Sequence, residues 1–267
     1  MPRTSRPAAA GGSALSATDR PHTDKRKPVA DTGGGLSFAM PRTAGQVSER
    51  LTARMGSDKV PSMLPPDPPA RLPQVRDEDF TDETRAFFAQ WSKGAVKGAA
   101  PPKYPPITNP VLRTFAHHPV LANAFSPLNL HILGDNTLPV KLRQIAIMRT
   151  AWITGATYMW SSHLETSVNC GLDPEMYGPI QRGAEDPYFT PFEATVIRAT
   201  EDLVNNRMIG DANWQALRAQ WDEQQMLDFM FTVGCYVMIA GVMRSTGAER
   251  QDNLLELAEK YGAPPQG

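Results

Sequence analysis

Apolar residues recur at helical intervals from Arg71 onward, and before it they do not. Leu142, Ile145, Met148 and Trp152 fall at i, i+3, i+6 and i+10, one face of a helix predicted over 138–154 and stopped by Gly155. A second helix follows over about 157–169 and ends at Gly171. Upstream, Thr81 caps a helix carrying Phe87, Phe88 and Trp91, which ends before Gly94. Residues 98–110 read as a proline-rich loop, followed by helical segments Thr108–His117 and Pro119–Leu133 joined at His118-Pro119. Downstream, Asp173-Pro174-Glu175 supplies a cap acceptor, a proline at the first helical position and an acid in the first turn. Thr190-Pro191-Phe192-Glu193 is a capping box that opens a helix to about Asn205. Asp211 caps the next, to about Trp221. Glu223–Ser245 is long and largely apolar, with Gly234 and Gly241 allowing another backbone to approach, and a last helix runs over Arg250–Tyr261. No segment alternates with period two between turn signals. The expectation is an all-α domain over 71–262.

Residues 1–70 read differently. They are rich in Gly, Pro, Ser, Ala and Thr, with runs such as Gly33-Gly34-Gly35 and Pro65-Pro66-Asp67-Pro68-Pro69. Such a stretch buries too little apolar surface to offset its ordering entropy, so a disordered tail is expected, with at most a transient helix over 44–55. Ten basic against five acidic residues in 1–60 suit a solvated linker better than a nucleic-acid-binding arm.

Composition narrows the function classes. A net charge of −1 gives no overall drive toward nucleic acid or an anionic membrane. No run of about 18 uninterrupted apolar residues marks a membrane span; the richest, Phe229–Val242, suits a core helix. The N-terminus lacks the apolar core of a secretory signal, so the cytoplasm is expected, with organelle import through the acidic-poor tail as the alternative. The two cysteines, Cys170 and Cys235, have no CxxC or Cys/His cluster around them. They read as packing residues, and no metal site is expected.

Chemistry concentrates in Leu138–Leu172. There the second helix carries Tyr158, Trp160 and His163. A histidine among aromatics near a helix junction can act as general acid or base, because its pKa lies near neutrality; equally, it can be a core histidine satisfied by a hydroxyl or carbonyl. Met159 and Trp160 share its face, whereas Tyr158 lies five residues back, about 140° around the helix. Arg149 is a candidate for a substrate carboxylate or simply faces solvent, and His118 at the helix break is either a cleft residue or a structural one.

The segment TLPVKLRQIAIMRTAWITGATYMWSSHLETSVNCGL resembles the signature helix pair of the carboxymuconolactone decarboxylase family, within the alkyl hydroperoxidase D-like superfamily. RTFAHHPVLANAF (Arg113–Phe125) and MFTVGCYVMIAGVMRSTG (Met230–Gly247) extend the resemblance across about 71–262. In the hydroperoxidase branch two cysteines precede the histidine and a glutamate sits on the previous helix. Here those positions hold Ala156, Met159 and Gln144, so cysteine-based peroxide reduction is not expected. The decarboxylase-like branch shows Tyr-Glu-Trp-x-x-His and Arg-Glu, where this chain has Tyr158-Met159-Trp160-Ser161-Ser162-His163 and Arg143-Gln144. Both departures remove a carboxylate that orients an imidazole and raises its pKa. Arg244 stands where relatives often have asparagine.

The resemblance implies an acid–base lyase, free of metal and organic cofactor, acting on a small organic acid or lactone by decarboxylation, isomerisation or ring opening. His163 and Tyr158 would be catalytic, with Trp160, Gln144, Arg149 and His118 around the substrate. It also implies a homo-oligomer, trimer or hexamer, with no nucleic-acid or membrane partner. The alternatives are a non-catalytic homo-oligomer that lost its acids, and a peroxidase using Cys170 or Cys235.

Overall fold

The structure, a computed structural model, describes residues 64–93 and 106–266. The helix expected over 44–55, the tail up to residue 63 and most of the proline-rich loop lie outside these residues. Among them are ten α-helices and no strand, only an isolated bridge between Leu64 and Gln266.

Helix ends follow local cap chemistry. Helix α1 (Asp82–Lys93) starts where the Thr84 amide donates to Thr81 Oγ1 at 3.2 Å. Asn109, one residue past the expected start, caps α2 (Pro110–Phe115) by accepting from Val111 and Leu112. Helix α3 (Pro119–Leu130) continues into a π-helical turn, His131–Asp135, which sequence periodicity does not distinguish from helix. Then come α4 (Val140–Ile153), α5 (Thr157–Ser167) and α6 (Tyr177–Arg182). Helix α7 (Pro191–Asn206) has both halves of the Thr190–Glu193 capping box. Helix α8 (Asp211–Arg218) is capped by Gly210, not by Asp211 as expected. Asp202 accepts from the Gly210 amide at 2.9 Å and from Asn213, so Asp211 becomes the first helical residue. Helices α9 (Glu223–Thr246) and α10 (Asp252–Tyr261) complete the chain.

Helix α4 is the axis of the domain. Every residue from Arg143 to Ala151 is buried, so the single face read from periodicity understates its burial. Helices α5, α7 and α9 pack around it, and the opposite faces contribute to two apolar clusters. One holds Ile145, Met148, Met159, Trp160 and Tyr236; the other holds Ala146, Val196, Phe229 and Val233. A third cluster, with Phe80, Phe87, Phe88 and Leu112, joins α1 to α2 and α3. Helix α9 is long and apolar enough to cross a membrane, with a mean hydropathy of 1.8, and half of that stretch is packed inside the protein.

The last residues assigned to the tail are docked onto the domain. Arg71 and Leu72 amides donate to the Thr246 carbonyl. Arg244 holds Asp67 at 3.0 Å and Thr154 O at 3.1 Å, and Thr157 Oγ1 also donates to Asp67. Gln266 closes the arrangement, accepting from the Asp67 amide at 2.7 Å and donating to Gly155 O at 3.0 Å. Residues 64–70, expected to belong to the tail, are thus bonded to the helical domain, because ion pairing and backbone bonds to residues far along the chain offset the entropy that composition alone predicts.

Candidate active site

Gly155 makes the junction between α4 and α5. It adopts φ +68°, and a Cβ there would sit 2.6 Å from the Leu64 side chain. Two buried helices thereby run against each other, bringing Gln144 of α4 to His163 of α5.

The Gln144 amide is buried and fixes the imidazole. Its Nε2 lies 3.1 Å from His163 Nδ1 and 3.3 Å from the His163 carbonyl oxygen. A carbonyl only accepts, so this second bond sets the amide nitrogen toward His163. The amide then donates to Nδ1, and the imidazole proton belongs on Nε2. A carboxylate would attract the imidazolium here; a neutral amide does not. Burial, and secondarily the Arg143 charge, push the His163 pKa down to about 3. His163 is thus a half-buried neutral imidazole with one edge committed to Gln144.

Two residues outside the expected set complete this centre. Tyr236 of α9 packs edge-on against His163, ring centroids 5.3 Å apart, and burial lifts its phenol pKa well above the ordinary value. Arg143, only 1% exposed, donates to Leu133 O at 3.0 Å and bonds Cys170, while its charge bears on His163, Cys170 and Tyr236 together. Arg143 was visible beside Gln144 in the motif, but the direction of its side chain follows from packing. Tyr236 lies 73 residues from His163, and its segment alone gave the hint.

The other expected site residues are placed differently. Tyr158 is buried, and its phenol pKa is raised by burial and then by Glu165, seven residues on and on the same helix face. The aromatic ring against His163 is that of Tyr236, not that of Tyr158. Trp160 is fully buried, edge-on to Trp152 at 4.9 Å, and its indole donates to Gly262 O at 2.8 Å. It holds the C-terminal segment. Arg149 pairs with Glu201 at 2.6 Å and donates to Ile180 O and Gln181 O, both at 2.8 Å. Burial lowers its pKa against the pull of Glu201. Its guanidinium is engaged in tying α4 to α6 and α7, so neither solvent nor a substrate carboxylate is its partner. His118 is exposed, and its Nδ1 accepts from the Leu121 amide at 3.3 Å, capping α3. Its neighbour His117 donates to Pro73 O and borders an open surface cleft of about 480 Å³ lined also by Val75, Arg76 and Thr81.

Cys170 and Cys235 are free and buried. Burial raises both thiol pKa values, Cys170 against the opposing pull of Arg143 and Cys235 to about 12, which leaves them protonated and poorly nucleophilic. Among the described residues no cluster of three or more His, Cys, Asp or Glu side chains is arranged to hold a metal ion.

Residues 119–202 match the carboxymuconolactone decarboxylase family, a span from the first residue of α3 into α7 that contains both Gln144 and His163. Over those residues the chain resembles that family. Solved structures carry the same fold. An AhpD-core, uncharacterized peroxidase-related protein from Ralstonia eutropha JMP134 superposes with a TM-score of 0.57 at 15% identity, covering 70% of this chain and 95% of that one. A cysteine-to-alanine variant of the debrominase Bmp8, in complex with 2,3,4-tribromopyrrole, gives 0.55 at 12% identity, covering 71% and 96%. No curated protein matches the chain. Ala156 and Met159, on the expected thiol positions, are both buried, and Gln144, on the expected acid position, contacts the histidine.

Proposed function

We propose that this protein is a cofactor-free acid–base enzyme acting on a small organic acid or lactone, by decarboxylation, isomerisation or ring opening. The observation that carries the reading is the Gln144–His163 hydrogen bond beside the buried Arg143 charge. The imidazole is held neutral with Nε2–H as its remaining donor, and the Tyr236 phenol also stays protonated. Two neutral groups and one cation form a centre that favours negative charge. Such a centre stabilises the electron pair left on a substrate when a C–C or C–H bond breaks and the charge moves onto a carbonyl oxygen. An imidazolium of pKa about 3 is a weak acid–base catalyst on its own at neutral pH. His163 therefore works mainly by donating a hydrogen bond to the developing oxyanion, and proton transfer through it is limited to acidic substrate protons.

The test is turnover of a panel of small lactones and unsaturated or β-keto acids by the full chain. His163→Ala should cost at least about 100-fold in kcat/KM, the usual scale for one oxyanion donor. Unchanged turnover by that variant removes the assignment. The burial of Arg143, Gln144 and Tyr236 favours a second reading, a non-catalytic homo-oligomer that keeps the fold. Under it, no acid or lactone in the panel raises the melting temperature, whereas a working site is stabilised by its ligand.

A further inference from the structure

Helix α3 places an amide where its register calls for an apolar side chain. Phe125 of α3 and Leu133 of the π-helical turn that continues it both pack against the apolar cluster containing Met159 and Tyr236. Asn129 lies four residues from each. Residues four apart share a helix face, so Asn129 stands in the middle of a stripe whose two ends touch that cluster. The stripe also borders the candidate centre directly. Leu133 O accepts from Arg143 at 3.0 Å, and Tyr236 packs against His163. Asn129 is 7% exposed, and among the described residues its Oδ1 is buried with no hydrogen-bond partner.

Neighbouring buried polar groups do have their partners. Asn136, seven residues on and also buried, donates to Thr232 Oγ1 at 3.1 Å while its Oδ1 accepts from the Leu138 amide at 2.9 Å. Ser126 donates to Ala122 O and accepts from the Trp91 indole. An unsatisfied buried acceptor is costly, and a leucine of similar size at position 129 would remove that cost and continue the stripe. A residue that breaks the local rule without a partner in the fold points to a ligand. The chemistry beside it is complementary. His163 Nε2–H and the Arg143 guanidinium can only donate, and the Asn129 oxygen can only accept.

We propose that Asn129 Oδ1 accepts a hydrogen bond from a hydroxyl of the substrate, which makes the substrate a small hydroxy acid or a hydroxylated lactone. The inference rests on the acid–base reading above and narrows its substrate class. The carboxylate or carbonyl oxygen lies toward Arg143, His163 and Tyr236, and the hydroxyl lies toward α3. Donors thus hold the oxygen that gains charge, and one acceptor fixes the orientation of the rest of the molecule. A site built to bond a hydroxyl rejects the analogue that lacks it, because the protein group is then left unpaired in the complex. Asn129 is a specificity-determining residue in this scheme and takes no part in proton transfer. The competing occupant is a fixed water, which would bond the oxygen permanently and leave nothing for a ligand.

The test compares ligands that differ by one hydroxyl: β-hydroxybutyrate with butyrate, and α-hydroxy-γ-butyrolactone with γ-butyrolactone. Each is titrated into the full chain while the His163 imidazole signals are followed by NMR. In at least one pair the hydroxylated member should bind about five-fold tighter or better, the scale of one hydrogen bond between neutral groups. Asn129→Leu should abolish that preference, and its melting temperature without ligand should equal or exceed that of the wild type. Equal binding within both pairs overturns the proposal, as does a preference that survives in the variant. A melting temperature lowered by several degrees overturns it too, because the oxygen would then be satisfied within the fold, as by a fixed water. If none of the four ligands moves the imidazole signals while other acids or lactones are turned over, this inference falls and the acid–base reading stands. If the whole panel is inert, both fall.

Discussion

His163 owes its neutrality to burial and the Arg143 charge, and its orientation to Gln144. The sequence motif nominates the histidine and shows that two acids are missing around it, and the structure shows what replaces one of them. Gln144 keeps the contact and the geometry while removing the charge. Gln144→Glu should therefore restore a carboxylate at hydrogen-bond distance and raise the His163 pKa from about 3 by more than one unit, a gain of at least about 1.4 kcal/mol for the charged form. An NMR titration of the imidazole signals reads this directly, because the chain has only five histidines. A midpoint that does not move would mean that burial alone sets the value. At this scale the legible part was the motif spacing, i to i+3 and i to i+4 along one helix. Tyr236 and the orientation of Arg143 were not legible, because each depends on how α9 and the π-helical turn close over α4. Arg149 was misleading for the same reason: an arginine is drawn on the sequence as a free charge, and only the fold brings Glu201 and two carbonyls to it.

Most helices were readable because their ends are written locally. The Thr190–Glu193 capping box and the glycine stops at 155 and 171 need no information beyond a few residues, and they fall where expected. The strap over the α4–α5 junction needs distant partners and was read as tail. Its Asp67 carboxylate bridges Thr157 at the start of α5 and Arg244 at the end of α9, and α5 has no side-chain cap of its own. Asp67→Ala should lower stability by about 1–2 kcal/mol through loss of these charge-assisted bonds. Proteolysis should then cut first within 64–72, and amide exchange should quicken at the first turn of α5. If the variant unfolds at the wild-type urea concentration with unchanged cleavage, the strap does not hold the junction.

For the molecule as a whole, the neutral histidine makes stability depend on acid. In the unfolded chain His163 takes up a proton near its ordinary pKa of about 6.5, whereas in the fold it does so only near 3. Between those values the unfolded state holds more protons, so this contribution is complete above pH 6.5 and is lost as the pH falls toward 3. Its size is on the order of a few kcal/mol at most. Comparing urea midpoints at pH 7 and pH 4.5 should show a larger drop for wild type than for His163→Gln; equal drops would place the acid sensitivity elsewhere. The bridge from Leu64 to Gln266 has its own consequence at this scale. The two extremities of the helical domain are already neighbours, so a short linker between them makes a ring of the domain. That ring can be reopened at a surface turn to give a permuted chain with the same core, in which the strap has become an internal loop.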